Sequence, residues 1–305
     1  MGKTRSIHAQ LNYCISQSCH IGESKRQYMQ NHNGQTDDRI FSIQHAKNLR
    51  ETANSFSKFM KANFSDVKMA KDIKSEHIQS YLEANSKNWS KRTLETKAGQ
   101  LTKIVSTVNS TYHSNIKLDV TLPSEVKTVE TIRNKMMEPE DFQKLRSYFD
   151  GKKTQSAKAI EITARCGLRV KEVAHLKAEN IDLEKNMIYV REGAKNGKFR
   201  DVPIREKDMP YFTELKANCA TGYVTEGNTE NALNKGIRRA MHDLKISEKY
   251  HCTGEHSIRK MYATDRMNEE RAKGLDEKSA WSVVQEELGH TSTFRPELYR
   301  VYVKR

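Results

Sequence analysis

The chain has 305 residues, a length typical of two domains. Its 53 Lys and Arg residues outnumber 39 Asp and Glu residues, which gives a formal net charge of +14 at pH 7. No apolar stretch reaches the roughly 20 residues that a membrane-spanning helix needs, so we expect no membrane partner. The five cysteines include no Cys-x-x-Cys pair. This argues against a disulfide scaffold and a structural zinc site, and indicates a reducing cytoplasm.

The positive charge is spread evenly along the chain. Residues 1–150 have 23 basic and 16 acidic side chains, and residues 151–305 have 30 and 23, so each half carries +7. A basic tail on a neutral enzyme would place the excess at one end. The even distribution predicts a polyanionic partner that contacts both halves, and nucleic acid is the commonest such partner. The alternative is a basic protein whose charges are only solvated.

The first half of the chain predicts a small helical domain between two less regular segments. Polar residues dominate 1–40, which we interpret as an N-terminal arm with one helix. Apolar residues recur at three- and four-residue steps in 41–120, as in amphipathic helices. Three helices are predicted there, over 41–59, over 75–84 and from Ser90 onward. The segment 121–135 lacks a helical period, contains Pro123 and is predicted to be an extended linker.

The second half, 136–305, mixes helical and strand patterns. Glu138-Pro139-Glu140-Asp141 is typical of a helix start, because proline and acids favour the first turn. Short β-type runs, Met187–Val190 and 199–204, flank an Asn-Gly pair that predicts a hairpin. Further helices are predicted over 156–166, 230–245, 256–267, 277–288 and 297–303. The predicted fold class is therefore mainly α with a small β-sheet.

Four short motifs follow one another in this second half. They are Gly167-Leu168-Arg169 at a helix start, Lys195 at the tip of the predicted hairpin, His256-Ser257-Ile258-Arg259, and Leu288-Gly289-His290. Tyr299 and Tyr302 follow within twelve residues. Each motif is weak by itself, because surface arginines, solvated lysines and packed tyrosines are common. Their order carries more information than any one of them.

In this order the motifs resemble the catalytic set of the tyrosine recombinase family, which includes phage integrases and Xer-type resolvases. The resemblance covers 136–305 well and implies a mixed α/β catalytic domain there. It implies a helical core-binding domain at 41–120, preceded by the arm and followed by the linker. The catalytic residues it implies are Arg169, Lys195, His256, Arg259, His290 and one tyrosine. Arg259 and His290 lie 31 residues apart, more than in compact members, so an insertion around 271–278 is expected.

The resemblance assigns a role to each of these residues. Arg169 and Arg259 would bind the phosphodiester, since guanidiniums hold phosphate bidentately and stay charged at every working pH. Lys195 would be the general acid for the departing 5′-oxygen, with Lys198 of the same turn as the alternative.

The histidines and the tyrosine complete the set. His256 would accept the proton of the tyrosine or hold the phosphate, and His290 would hydrogen-bond the transition state. The tyrosine would form a 3′-phosphotyrosine that conserves the bond energy. The sequence has no acidic cluster with metal-ligand spacing and no Walker-type loop, so no metal and no other cofactor is expected.

Two tyrosines compete for the role of nucleophile. Tyr299 follows His290 by nine residues, the spacing commonest in the family, whereas Tyr302 follows Arg295 by seven, as in other family endings. Residues three apart on one helix lie on neighbouring sides of the same face, so only one of them can attack. We favour Tyr302 and keep Tyr299 as the alternative.

The predicted function is that of a site-specific DNA recombinase of the integrase or resolvase type. The resemblance implies double-stranded DNA as partner, a homotetramer on two DNA sites, an accessory DNA-bending protein as a further partner, and a cytoplasmic location on the nucleoid. A type IB topoisomerase or a telomere resolvase is an enzymatic alternative, since both share the chemistry. A catalytically silent DNA-binding accessory protein is an alternative from another class.

Overall fold

In the computed structural model the chain divides into two compact units, Met1–Glu130 and Thr131–Arg305. The structure describes residues 5–127, 135–194, 199–219, 222–251, 253–290 and 293–303. The division between the units falls inside the 121–135 segment. No helix within the described ranges is long and apolar enough to cross a membrane.

The first unit is helical. Its helices are α1 (Ile7–Gln17), α2 (Lys25–Asn31), α3 (Ile43–Asn63), α4 (Ser75–Asn85) and α5 (Lys91–Tyr112). The long helices α3 and α5 pack against each other and against α1, and their apolar stripes form the core. Ser42 and Ser90 cap these two helices, each accepting a hydrogen bond from a backbone N–H of the first turn. Both caps give the helices defined starting points.

The segment 1–40 differs from the predicted arm. Leu11, Cys14 and Ile15 of α1 are buried in the same core as α3 and α5. These residues have the i, i+3, i+4 spacing of one helix face. The polar composition of 1–40 as a whole conceals this short stripe, so α1 is part of the helical unit instead of a separate arm. α2, which contains no buried residue, was not predicted.

The second unit combines helices with one small sheet. Its helices are α6 (Pro139–Phe149), α7 (Gln155–Cys166), α8 (Val170–Ala174), α9 (Met209–Ala217), α10 (Glu230–Asp243), α11 (Glu255–Ala272), α12 (Glu277–Glu287) and α13 (Pro296–Tyr302). Its strands are β1 (Ile181–Asp182), β2 (Met187–Val190) and β3 (Arg200–Pro203). The sheet is antiparallel in the order β1-β2-β3, with Ile188 opposite both Ile181 and Val202. The predicted fold class is confirmed.

Helix α11 organises the second unit. It packs against α7, α12 and α13, while α10 covers α7 and α8. Residues 271–278, where the insertion is predicted, form the end of α11, a turn at Gly274 and the start of α12. α9 was not predicted, because only Phe212 and Leu215 on it are buried and its apolar period is therefore short.

A buried ion pair fixes α12 on α11. Arg266 donates from Nε and Nη2 to the two carboxylate oxygens of Glu287, at 2.9 and 2.7 Å, and the Tyr262 hydroxyl donates to Glu287 at 2.7 Å. Charge-assisted bidentate bonds of this kind are among the stronger polar contacts in proteins. They hold the C-terminal end of α12, and with it the Leu288-Gly289-His290 motif, at a defined place.

Gly167, at the end of α7, provides a stability prediction. Its φ is +59°, and a Cβ added there would lie 2.3 Å from the ring of the buried Tyr262. Gly151 also has a positive φ, +71°, but has no heavy atom within 4 Å of such a Cβ. We expect Gly167→Ala to destabilise the unit by about 3 kcal/mol, since backbone strain and overpacking add. Gly151→Ala should cost about 1 kcal/mol, because only backbone strain applies.

The measurement is urea unfolding of the full chain, followed by the fluorescence of Trp281 in a Trp89→Phe background. Trp281 is fully buried in the second unit, so its signal reports that unit. Equal shifts of the unfolding midpoint for the two glycine variants would contradict the close packing of Tyr262 on Gly167.

Candidate active site

The break between α7 and α8 positions the first arginine. α7 ends at Cys166, and Gly167 in the left-handed region donates its N–H to the carbonyl of Thr163. A glycine at this position allows the chain to leave the helix at little cost. Arg169 then precedes the first residue of α8. Its side chain is partly buried, and burial together with the neighbouring Arg259 charge lowers its pKa.

Glu172 on α8 receives hydrogen bonds from two arginines. Arg169 donates its backbone N–H and its Nη1 to the two carboxylate oxygens, both at 2.8 Å. Arg200 on β3 donates Nη1 and Nη2 to the same oxygens, at 2.9 and 2.8 Å. Burial alone would raise the pKa of Glu172, but the bonds from Arg200 and the charges of Arg200, Arg259 and Arg169 lower it to about 2. Glu172 is therefore a permanent carboxylate at neutral pH.

Arg259 on α11 is fully enclosed, with a side-chain exposure of 0%, as is the carboxylate of Glu172. Its Nη1 and Nη2 donate to the backbone carbonyls of Gly167 and Leu288. Nη1 also lies 3.9 Å from Glu172. Its buried Nε has no hydrogen-bond partner in the part of the chain that the structure describes. Arg259 therefore joins the end of α7, the end of α12 and α8.

Tyr302 is the tyrosine that contacts this cluster. Its ring centroid lies 5.7 Å from the guanidinium carbon of Arg259, and 5.7 and 5.5 Å from the ring centroids of His256 and His290. Both imidazoles meet the tyrosine ring edge-on, at 72° and 64°. Tyr302 is only 5% exposed. The structure thus brings together one tyrosine, two histidines and an arginine from α11, α13 and the residues after α12.

Tyr299 lies on α13 and shares one neighbour with Tyr302, because the ring centroid of Trp281 is also 6.2 Å from that of Tyr302. The Tyr299 ring packs on Trp281 at 5.5 Å and near Phe294 at 6.4 Å. Both neighbours are apolar, and Trp281 is fully buried in the core between α11 and α12. Tyr299 is therefore a packing partner of α12, one helical turn away from the charged cluster.

The two lysines of the predicted hairpin fall in the connection between β2 and β3. Lys195 and Lys198 lie outside the described residues, between β2 and β3. The base of the hairpin is described: Arg191 donates to the carbonyl of Arg200 at 3.0 Å and to the Asp201 carboxylate at 2.6 Å. The strands on either side of the turn are therefore held together beside the cluster around Glu172.

Sequence reasoning missed Glu172, Arg200 and Glu255. For Glu172 a signal exists, since a glutamate three residues after the residue that precedes a helix favours reciprocal capping. Arg200 meets Glu172 only through tertiary structure, 28 residues along the chain. Glu255 adjoins His256 and is 5% exposed, but nothing in the sequence distinguishes it from a surface glutamate at a helix start. Among the described side chains, no group of three His, Cys, Asp or Glu residues could hold a metal ion.

Comparison with known proteins gives one family. The family model described as the phage integrase family matches residues 135–301, more than half of the chain. The tyrosine recombinase XerA of Pyrococcus furiosus is 28% identical over 174 residues, which are 54% of this chain and 56% of that protein. The chain thus spans about half the length of this curated relative.

Solved structures with the same fold cover nearly all of the chain. One is the XerH site-specific recombinase bound to a palindromic difH substrate, with a TM-score of 0.63 and 15% identity over 98% of this chain and 91% of that one. Another is a lambda integrase dimer bound to a core site, with a TM-score of 0.58 and 15% identity over 90% and 93%. At this level of identity the likeness shows the fold alone.

The buried carboxyl of Glu255 provides a pH-dependent prediction. Burial and the nearby Glu172 charge raise its pKa to about 7, against the lowering effect of Arg259, Thr163 and Arg169. Between its ordinary value of 4.5 and about 7, the folded protein holds a proton that the unfolded chain has lost. The contribution of Glu255 to the free energy of unfolding therefore falls as pH rises through this window.

We expect Glu255→Gln to remove this pH-dependent decrease in the free energy of unfolding. The stability of the variant relative to the unaltered protein should rise between pH 5 and 8, by an amount on the order of 3 kcal/mol at about 1.4 kcal/mol per pKa unit. Urea unfolding at four pH values measures it. Glu184→Gln is the control, because Glu184 is exposed in the turn between β1 and β2. Parallel pH curves for Glu255→Gln and the unaltered protein would contradict the raised pKa.

Proposed function

Because this chain belongs to the phage integrase family, we propose that it is a site-specific DNA recombinase that cuts and rejoins DNA through a 3′-phosphotyrosine. The observation that carries the proposal is the cluster of Arg259, His256 and His290 around the ring of Tyr302. A tyrosine whose ring lies beside a fixed guanidinium and two imidazoles has the groups that attack on a phosphodiester requires. The groups needed are a nucleophile, a proton acceptor and a cation that binds the phosphate.

Arg169 and Arg259 bind the scissile phosphate in this proposal. Attack on phosphorus places additional negative charge on the nonbridging oxygens, and preorganised guanidiniums stabilise that charge. The unpartnered buried Nε of Arg259 supports the assignment. A buried donor without an acceptor costs free energy, and a phosphate oxygen is an acceptor of the required charge.

Tyr302 is the proposed nucleophile. Its hydroxyl oxygen bonds to phosphorus while the bond from phosphorus to the 5′-oxygen breaks, which leaves DNA attached through a 3′-phosphotyrosine. His256 accepts the tyrosine proton, and His290 donates a hydrogen bond to the phosphoryl group in the transition state. Attack by a 5′-hydroxyl reverses these steps, so rejoining consumes no external energy source, and no metal or other cofactor is proposed.

Lys195 is the proposed general acid, with Lys198 as the alternative. The departing 5′-oxygen needs a proton, and a lysine next to a phosphate is a suitable donor. Support comes from the sequence, where Lys195 precedes the Asn-Gly pair at the hairpin tip. Further support is that Arg200 of β3, the strand that follows Lys195 and Lys198 in the chain, donates to Glu172, which also accepts from Arg169.

Double-stranded DNA is the proposed partner. The solved relatives bound to DNA include the Tn1549 transposon integrase in complex with transposon right end DNA, which has a TM-score of 0.60. The net charge of +7 on each half of this chain suits a partner that contacts both units. We further propose that four copies act on two DNA sites, with an accessory DNA-bending protein as an additional partner, in the cytoplasm on the nucleoid.

The first experiment is strand cleavage of nicked suicide duplexes that tile the DNA flanking the gene of this protein, in excess EDTA. A covalent protein–DNA adduct is expected, because loss of the short strand beyond the nick prevents rejoining. Transfer of the trapped strand to a second duplex is expected for a recombinase. Adduct without transfer would favour a topoisomerase, and absence of adduct would favour a silent DNA-binding protein.

The second experiment replaces each candidate nucleophile by phenylalanine, which removes the hydroxyl and keeps the ring. We expect Tyr302→Phe to abolish the covalent adduct, because the hydroxyl that would bond to phosphorus is removed. Tyr299→Phe should retain it, since packing on Trp281 needs only the ring. Adduct in Tyr302→Phe and none in Tyr299→Phe would reverse the assignment, and adduct in both single variants would remove the mechanism.

A further inference from the structure

Arg200 connects three parts of the site without belonging to any of the four sequence motifs. It is the first residue of β3, and its side chain is 7% exposed. Besides its two bonds to Glu172, it donates Nε to the backbone carbonyl of Glu287 at 2.7 Å. One guanidinium therefore joins the second hairpin strand, α8 and the end of α12.

Gly289 of the Leu288-Gly289-His290 motif provides the space for this side chain. A Cβ at position 289 would lie 2.8 Å from Nη1 and 3.1 Å from Cζ of Arg200, and the backbone φ is +72°. A side chain at this position would therefore be strained and would displace the guanidinium. The Arg200 side chain is therefore held by its hydrogen bonds to Glu172 and fits into the space that Gly289 leaves beside it.

The hydrogen bonds of Glu172 explain what Arg200 does. Two oxygens of a carboxylate offer about four acceptor positions, and all four are used, two by Arg169 and two by Arg200. Arg259 Nη1, at 3.9 Å, is therefore outside hydrogen-bond distance of Glu172 and donates to the backbone carbonyl of Gly167 instead. Without Arg200, two acceptor positions on a buried carboxylate would open, and Arg259 is the charged donor next to them.

We infer that Arg200 is a positioning residue that saturates Glu172, so that the charge of Arg259 remains available to the scissile phosphate. The inference rests on the proposed function. Loss of Arg200 turns the guanidinium of Arg259 toward Glu172, and the carboxylate then neutralises charge that would otherwise stabilise the transition state. The consequence is a defect in phosphate-charge stabilisation, caused by a residue that does not touch the phosphate.

The test compares two substrates in single-turnover cleavage, at the cleavage site mapped with suicide duplexes. One carries the ordinary scissile phosphate and the other a methylphosphonate, in which a methyl group replaces a nonbridging oxygen and removes the negative charge. The neutral linkage depends less on arginine charge. The ratio of the two rates therefore measures charge stabilisation, and unfolded protein in a preparation lowers both rates equally without changing the ratio.

We expect Arg200→Ala to slow cleavage of the ordinary phosphate by about tenfold or more, less than the loss of a directly contacting donor. The methylphosphonate rate should change much less, as it should in Arg169→Ala. Arg200→Lys keeps the charge but cannot donate in the bidentate manner, so its ratio should lie between those of Arg200→Ala and the unaltered protein. Arg146→Ala is the matched control, since it removes an arginine that donates bidentately to another carboxylate of the same unit, that of Glu161, and its ratio should be unaltered.

Three outcomes would overturn the inference. Equal losses on both substrates in Arg200→Ala would assign Arg200 a purely structural role. Recovery on a 5′-bridging phosphorothiolate, whose leaving sulfur needs no proton, would show that Arg200 acts through the hairpin lysine. Absence of any adduct with the unaltered protein would remove the proposed function, and the inference with it. Adduct formation by the unaltered protein together with an unchanged ratio in Arg200→Ala would leave the proposed function intact.

Discussion

The arrangement of the second unit depends on how several arginine guanidiniums are stabilised close together in one buried site. Like charges at short range oppose each other's ionisation, and burial adds a desolvation cost. Arg259 offsets both by donating to the carbonyls of Gly167 and Leu288. These residues directly follow α7 and α12, whose C-terminal ends carry unpaired carbonyls and partial negative charge. The guanidinium therefore lies where two helix ends meet.

This requirement determines which parts of the chain must converge. α7 has to end at a residue that can turn sharply, α12 has to end beside it, and α11 has to carry the arginine between them. Glu172 then balances the charge of Arg169, which precedes the next helix. The buried pair Arg266–Glu287 also fixes α12 on α11. The cluster beside Tyr302 is thus a consequence of helix ends that are held in place by hydrogen bonds and ion pairs.

Local signals made much of this fold predictable from the sequence. Amphipathic periodicity indicated the long helices, and Ser90 and Pro139 marked two of their starts. The Asn-Gly pair between two β-type runs indicated the strands that the structure forms on either side of it. The stripe on α1 was missed because three apolar residues in a polar segment give a weak period. The order of the motifs pointed to His256, Arg259 and His290, which lie near Tyr302 in the fold, whereas Lys195 lies outside the described residues.

Contacts between residues that are distant in the sequence could not be predicted from local patterns. The hydrogen bonds between Arg200 and Glu172 join a strand to a helix that lies 28 residues earlier in the chain. Neither residue belongs to a periodic pattern that would have indicated the other. Tertiary contacts also distinguish the two tyrosines of α13, Tyr299 and Tyr302. Spacing along the chain allows either to face the arginines, and in the fold it is the ring of Tyr302 that lies against Arg259.

The most direct measurement is the position of the covalent bond between protein and DNA. Trypsin cuts after Arg300, so the two candidate tyrosines fall in different peptides. After reaction with a suicide duplex and nuclease digestion, mass spectrometry of these peptides reports which one carries the residual nucleotide. We predict a nucleotide on Tyr302 in the peptide 301–304. A nucleotide on the peptide that contains Tyr299, or on neither peptide of a protein that forms the adduct, would contradict it.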